Sequence, residues 1–156
     1  MAEVHILLNE YLIFYQPWIL FIWGACWGSF LNVVMYRYPL GRSVVAPASA
    51  CPSCKKSIAV YDNIPVLSWL ILRGRCRNCR EPFSPMYAIN EAGFGLVAAL
   101  PVVVFPEEWL KGLSLGMGSL ALIPTVFLVI RIGRAPVYLW VSVILFGGLH
   151  ASQFLF

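Results

Sequence analysis

At 156 residues, with 60% hydrophobic and 12% charged positions, the chain is too apolar for an ordinary soluble domain, in which about half and about a quarter are usual. Its length suffices for one compact helical membrane unit with a small polar insert and leaves little for a second globular domain. The net charge of +4 is concentrated, because eight of the eleven basic residues (Arg37, Arg42, Lys55, Lys56, Arg73, Arg75, Arg77 and Arg80) lie between positions 37 and 80. A short basic loop between apolar spans is retained on the cytoplasmic side of a membrane. Its aromatics are not interleaved as a stacking platform, so nucleic acid is not the expected partner.

The first ten residues read as a short outer tail, and the start of the chain lacks the basic run and small-residue cleavage site of a secretory signal. From Tyr11 to Tyr36 the chain is apolar and aromatic, interrupted at Gln16-Pro17, which predicts a first span over Pro17 to Tyr36. Gly24 and Gly28 place small residues on one helical face for a close neighbour. Asn32, one turn further on, is expected to hydrogen-bond inside the bundle, and Cys26 to be a buried, inert thiol. Arg37-Tyr38-Pro39 ends the span, with the arginine placed to snorkel to headgroups.

The segment 37–86 then reads as a cytoplasmic loop. Prolines at 39, 47, 52, 65, 82 and 85 predict a compact irregular module without long helices. It contains two Cys-x-x-Cys pairs, Cys51/Cys54 and Cys76/Cys79, separated by 21 residues. Four thiolates in this pattern complete the tetrahedral shell that zinc prefers, with no position left for substrate water, so the expected metal is structural. Two disulfides and a dithiol redox centre are the alternative readings, and a reducing cytoplasmic setting argues against the first. Between the pairs runs YDNIPVLSW (61–69), where Asp62-Asn63 signals a turn. Val66 to Leu72 is too short to span and is expected at the membrane interface, with Trp69 and the flanking arginines in the headgroup zone.

Three further spans are predicted in the segment 87–156: Tyr87 to Phe105, Gly112 to Ile130, and about Ala135 to Phe156. Lys111 is the sole basic residue of the first intervening turn, whereas Arg131 and Arg134 mark the second, which places both chain ends outside. Gly112, Gly116, Gly118, Gly147 and Gly148 are expected to serve close helix packing. No internal repeat is evident. The fold class is therefore an all-α integral membrane protein with about four transmembrane helices and a four-cysteine zinc-binding loop insert.

Few residues are suited to chemistry. Asp62 is the only aspartate, so one copy of the chain cannot supply the pair of carboxylates that an aspartic peptidase needs. The neighbouring arginines also draw it toward structural ion pairing. Glu91 lies inside the second span, where a carboxylate is costly and is retained for pairing or function, a loop arginine being the expected partner. His5 and His150 read as lone interfacial residues on the outer side.

The run from Gly28 to Arg37, Cys51-Pro-Ser-Cys54, YDNIPVLSW, Leu72 to Cys79, and Pro85 to Glu91 closely resembles the N-terminal part of bacterial type IV prepilin peptidases, over roughly positions 24–92. The resemblance implies a zinc-bound cytoplasmic loop in the inner membrane and a prepilin or type II secretion pseudopilin as client. The family's membrane half carries two catalytic aspartates, which the later spans here do not contain. Gly116-Met-Gly118-Ser119 echoes its Gly-x-Gly-Asp motif only superficially. What the resemblance leaves is the family's other activity, methylation of the new pilin N-terminus from S-adenosylmethionine, or one part of a split enzyme completed by an aspartate-bearing subunit. A catalytically inactive module that binds prepilins is the alternative. For methyl transfer the candidate residues are Glu91, with Asp62 and Asn63 in the loop. Lys55 and Arg80 depart from the resemblance, since zinc knuckles often have glycine after the second cysteine.

Overall fold

The computed structural model describes residues 2–153, with side chains from position 14 onward. Five helices follow one another: α1 (Ala2–Arg37), the short α2 (Leu67–Ile71), α3 (Met86–Val104), α4 (Trp109–Ile132) and α5 (Val137–Ser152). Three of them supply segments long and apolar enough to cross a membrane, Phe14–Leu40, Met86–Val104 and Trp109–Ile132. The fourth apolar helix, α5, has 16 residues, or about 24 Å at 1.5 Å per residue. α1 begins well before the expected span and carries Pro17 inside it; the expected tail is therefore helical from Ala2. His5 falls among the residues whose side chains are not described.

The long helices pack in chain order, α1 along α3, α3 along α4 and α4 along α5. The α1–α3 contact is close because of the two glycines. A Cβ at Gly24 would lie 2.5 Å from the Phe94 carbonyl oxygen, and one at Gly28 would lie 3.1 Å from the Glu91 Cα. No side chain fits there without separating the helices. Gly112 and Gly116 serve the same purpose on α4, against the backbone of Pro101 and Ala98. Gly118, Gly147 and Gly148 do not, since an added Cβ meets nothing nearer than 3.7 Å at the first and nothing within 4 Å at the others.

A buried cluster of Leu31 and Val34 on α1, Leu128 on α4 and Leu139 on α5 closes the loop end of the bundle. Trp27 adds a cross-tie by donating its indole N–H to the Leu120 carbonyl at 3.1 Å. Two expectations about α1 need correction. Cys26 is exposed on the outside of the bundle, because it falls on the opposite side from the glycine face. Arg37 turns back into the loop, where its guanidinium donates to the carbonyls of Ser43 at 3.2 Å and Pro47 at 2.8 Å.

At the far end of the bundle, His150 is likewise not a lone residue. Its Nδ1 lies 2.9 Å from the buried Ser114 hydroxyl, which also contacts the Lys111 carbonyl and the Gln153 side chain. Helices α4 and α5 share this polar knot, so the histidine is part of their packing.

Candidate functional site

The loop is built from two copies of one turn. In the first, the Lys55 amide donates to the Cys51 carbonyl, the Cys51 amide donates to the Lys56 carbonyl, and Ala50 pairs with Ser57. In the second, offset by 25 positions, the Arg80 amide donates to Cys76, the Cys76 amide donates to Glu81, and Arg75 pairs with Pro82. A local structural repeat is thus present although none is evident in the sequence, since the two copies share little beyond the cysteines. The residue after each second cysteine is left-handed, with φ 61° at Lys55 and 62° at Arg80. These are the two positions where glycine would be expected, and the turn's shape overrides the local preference of the side chain.

The paired turns bring together Cys51, Cys54, Cys76 and Cys79, whose sulfurs all lie within 4.8 Å of one another. Cys51 and Cys79 are 3.7 Å apart. Four thiolates at about 2.3 Å from one central ion would be separated by about 3.8 Å, so the spacing suits a tetrahedral metal. Disulfides need sulfurs at about 2.05 Å, and all four cysteines are free.

The electrostatics agree. The Cys51 thiol is drawn down to about 6, chiefly by the Cys54 amide and then by that of Ser53, against the opposing effect of burial. At Cys79 the Glu81 amide pulls the same way, but burial and the neighbouring sulfurs outweigh it and the net is a rise to about 11. The Cys76 thiol is drawn down as well, chiefly by the Cys79 amide and then by that of Asn78. Amide donors thus favour thiolate at the first cysteine of each pair, the crowded sulfurs oppose it at Cys79, and a divalent cation would cancel that repulsion.

The segment between the turns is held at both ends. Asp62 receives three hydrogen bonds from Arg77, two from Nε at 3.0 and 2.8 Å and one from Nη2 at 2.6 Å. This planar pairing holds its carboxyl below the ordinary carboxylate range. The Arg77 guanidinium also lies over the Tyr61 ring, 5.5 Å from its centre. Asn63 is exposed. The buried Ser68 hydroxyl accepts from the Ile64 amide at 2.9 Å and donates to the Tyr61 carbonyl at 3.1 Å, closing YDNIPVLSW on itself. Trp69 packs its indole against Gly74 and has its N–H buried within the module, which corrects the expectation of a headgroup anchor.

Glu91 makes the connection to the membrane helices. Buried in the second turn of α3, it accepts the Val66 amide hydrogen at 2.8 Å. The expected arginine partner is replaced by a backbone group, because the chain at Val66 takes φ 63° and ψ −53° and a tight turn bonds the Leu67 amide to the Pro65 carbonyl at 2.6 Å. A β-branched residue in that region is strained, and the carboxylate holds it there. Beside Glu91, Asn90 donates to Asn32 at 2.9 Å, and Asn32 donates to the Tyr87 carbonyl at 3.4 Å. Asn32 is therefore bonded within the bundle as expected. Val66 and Ser68 carried no chemical signal in the sequence; the depth of Glu91 inside a span was the one pointer to this junction.

A cleft of about 220 Å³ opens between the first turn and the Asp62–Arg77 pair, lined by Lys56, Tyr61, Asp62, Arg77 and Phe83 among others. Of the three chemical candidates, Asp62 borders this cleft and Glu91 lies outside it. Asn63, next in sequence to Asp62, is not among its walls.

Fold and site together define a helical membrane protein whose first two long helices clasp a four-cysteine module that could hold a metal ion. The chain belongs to the Bacterial Peptidase A24 N-terminal domain family, whose model matches residues 22–105. It is similar to the prepilin leader peptidase/N-methyltransferase of Myxococcus xanthus, with 54% identity over 50% of this chain and 23% of the relative. It is also similar to the type 4 prepilin-like proteins leader peptide-processing enzyme of Escherichia coli, at 38% over 60% and 41%. With the prepilin leader peptidase/N-methyltransferase of Pectobacterium carotovorum it shares 35% identity over 74% and 48%. The chain spans from about a quarter to about half the length of these relatives. No solved structure matches it.

Proposed function

We propose that the protein acts in the bacterial inner membrane in maturing type IV prepilins or type II secretion pseudopilins, either methylating the pilin N-terminus or forming one part of a split processing enzyme. The supporting observation is that α1, the cysteine module and α3, the region matched by the family model, form a continuous clasped unit. The ion of the module is zinc in this reading, bound by Cys51, Cys54, Cys76 and Cys79. It supplies cross-linking and charge neutralisation to the loop, which lies on the cytoplasmic side by its charge.

Within the unit, Glu91 positions YDNIPVLSW against the membrane helices and does not itself contact substrate. In this reading the exposed Asn63 meets a pilin segment, while Asp62 shapes the cleft through Arg77. The methyl donor in this reading is S-adenosylmethionine, which rests on the resemblance of the sequence motifs to the family; the names of the Myxococcus and Pectobacterium relatives carry methyl transfer and no donor. The cleft at about 220 Å³ is smaller than the roughly 300–1,000 Å³ of usual cofactor pockets.

Mass spectrometry of pilin N-termini from a deletion strain separates the readings. Cleaved but unmethylated pilin supports methyl transfer, and uncleaved pilin supports the split peptidase, which co-purification with an aspartate-bearing membrane protein would corroborate. Normal termini would discard both and leave a module that binds prepilins without catalysis.

A further inference from the structure

Helix α2 has its apolar side facing out. Leu67, Leu70 and Ile71, at i, i+3 and i+4, share one helical face and are all exposed, whereas Ser68 is buried toward the module. In a water-bathed loop this arrangement is inverted, since the apolar face is the one that should pack inward. Ile64, just before the helix, is exposed as well.

The depth of α2 relative to the bilayer follows from its tether. α3 has 19 residues, about 28 Å at 1.5 Å per residue, so nearly its whole length is needed to cross a hydrocarbon core of about 30 Å. Glu91 is the sixth residue of that helix, which sets its Cα about 7 Å beyond the first one. Its side chain leans back toward the helix start, and its carboxylate is 2.8 Å from the Val66 amide. The residue immediately before α2 is therefore fixed near the boundary between headgroups and acyl chains. Met86, Tyr87 and Ile89, on the first turn of α3, are exposed as well, so apolar side chains face outward on α3 where Glu91 tethers the loop. Arg73 and Arg75, both exposed, lie within four residues of the end of α2 and are cations of the kind that pair with lipid phosphates.

We propose that α2 is a membrane-dipping wedge, its Leu67, Leu70 and Ile71 face seated in the headgroup–acyl boundary with Arg73 and Arg75 against anionic phospholipid headgroups. The Glu91–Val66 hydrogen bond sets its depth. The module is then held to the bilayer surface at a point separate from its two chain connections, which limits its rotation over the bundle.

The test uses the full chain reconstituted in vesicles of phosphatidylethanolamine and phosphatidylglycerol, with the photoreactive residue p-benzoylphenylalanine at Ile71, at Leu70, or at Val45 as the aqueous control. Ile71 and Val45 are 73% and 87% exposed, so neither substitution disturbs packing. After irradiation, mass spectrometry should find phospholipid adducts at positions 70 and 71 several-fold more often than at 45. Omitting phosphatidylglycerol should lower the share of adducts at 70 and 71. Equal yields at all three positions would mean that α2 faces water, and cross-links to protein in place of lipid would mean that the face is a protein interface. Either result overturns the proposal.

Discussion

The α1–α3 helix pair and the cysteine module are adjacent and tethered, yet they are held together by opposite means. The helix pair relies on absent side chains: Gly24 and Gly28 let two backbones approach until Phe94 and Glu91 fill the gap. The module has too few buried apolar groups for a core of its own and relies on four sulfurs, a planar ion pair and hydrogen bonds to its own turns. A lipid-embedded pair gains nothing from hydrophobic sequestration and must gain from close contact. A small insert in water gains most from a cross-link. Glu91 belongs to both regions, and perturbing each side of it separately shows how independent they are.

The largest effect should come from the sulfurs. Structural zinc in four-ligand peptides contributes an apparent ~10–16 kcal/mol, so chelation, or Cys76→Ser, should unfold the module. Limited proteolysis would then cut within residues 41–85 while α1 and α3 remain protected. Metal-free protein that resists the protease as well as the purified form would refute the clamp role.

On the helix side, Gly28→Leu forces side-chain atoms into the 3.0–3.1 Å gap against Phe94 and Glu91. Overpacking of this kind costs about 1–3 kcal/mol or more, and thermal unfolding in detergent should report it. Gly147→Leu, in open space, should leave the melting temperature nearly unchanged. Equal shifts in the two variants would argue against the close contact.

Glu91→Leu tests the junction itself. Leaving the Val66 amide without its acceptor costs about 1–3 kcal/mol. Hydrogen exchange should rise in residues 60–72 and not at the cysteine turns, and Glu91→Gln, which keeps an acceptor oxygen, should restore most of the protection. Faster exchange throughout the module would show that the two regions are not separable there.

Asp62→Asn should weaken the module more modestly, because Arg77 keeps part of its contact with Tyr61. The Asp62 carboxyl is held below its ordinary value, so its contribution is complete above about pH 4 and fades as the pH falls through the lower folded value. Asp62→Asn and the parent should therefore differ at pH 7 and converge in acid; a gap that widens on acidification would contradict the ion pair. Smallest of all, Lys55→Gly and Arg80→Gly should each stabilise by a few tenths of a kcal/mol, or at most ~1. Relief of left-handed strain is partly offset by the freer unfolded chain, and a loss of stability would show that the side chains themselves matter.

Much of this was readable from residue types alone. The membrane class, the α1 glycine face, the bonded Asn32 and the four-cysteine cluster all follow from composition or from short, fixed spacing, where the chemistry of a few neighbours decides the outcome. Asp62 was rightly expected to pair with an arginine, although several flank the turn and only the fold selects Arg77. The sequence misled where a side chain had two plausible neighbourhoods: Trp69 turned inward to Gly74, Arg37 turned back to the loop, and Cys26 faced outward.

The amino-acid sequence by itself determined that this chain crosses a membrane and gathers four thiolates in one polar loop, because both are local properties of hydropathy and spacing. Only the tertiary structure decided that Glu91 binds the strained Val66 amide, that α2 turns its apolar face outward, and that the two cysteine turns are copies of one another. Each of these depends on where a loop of almost 50 residues returns against the helices that bracket it. That path is set by backbone conformation and mutual burial, which no short window of sequence encodes.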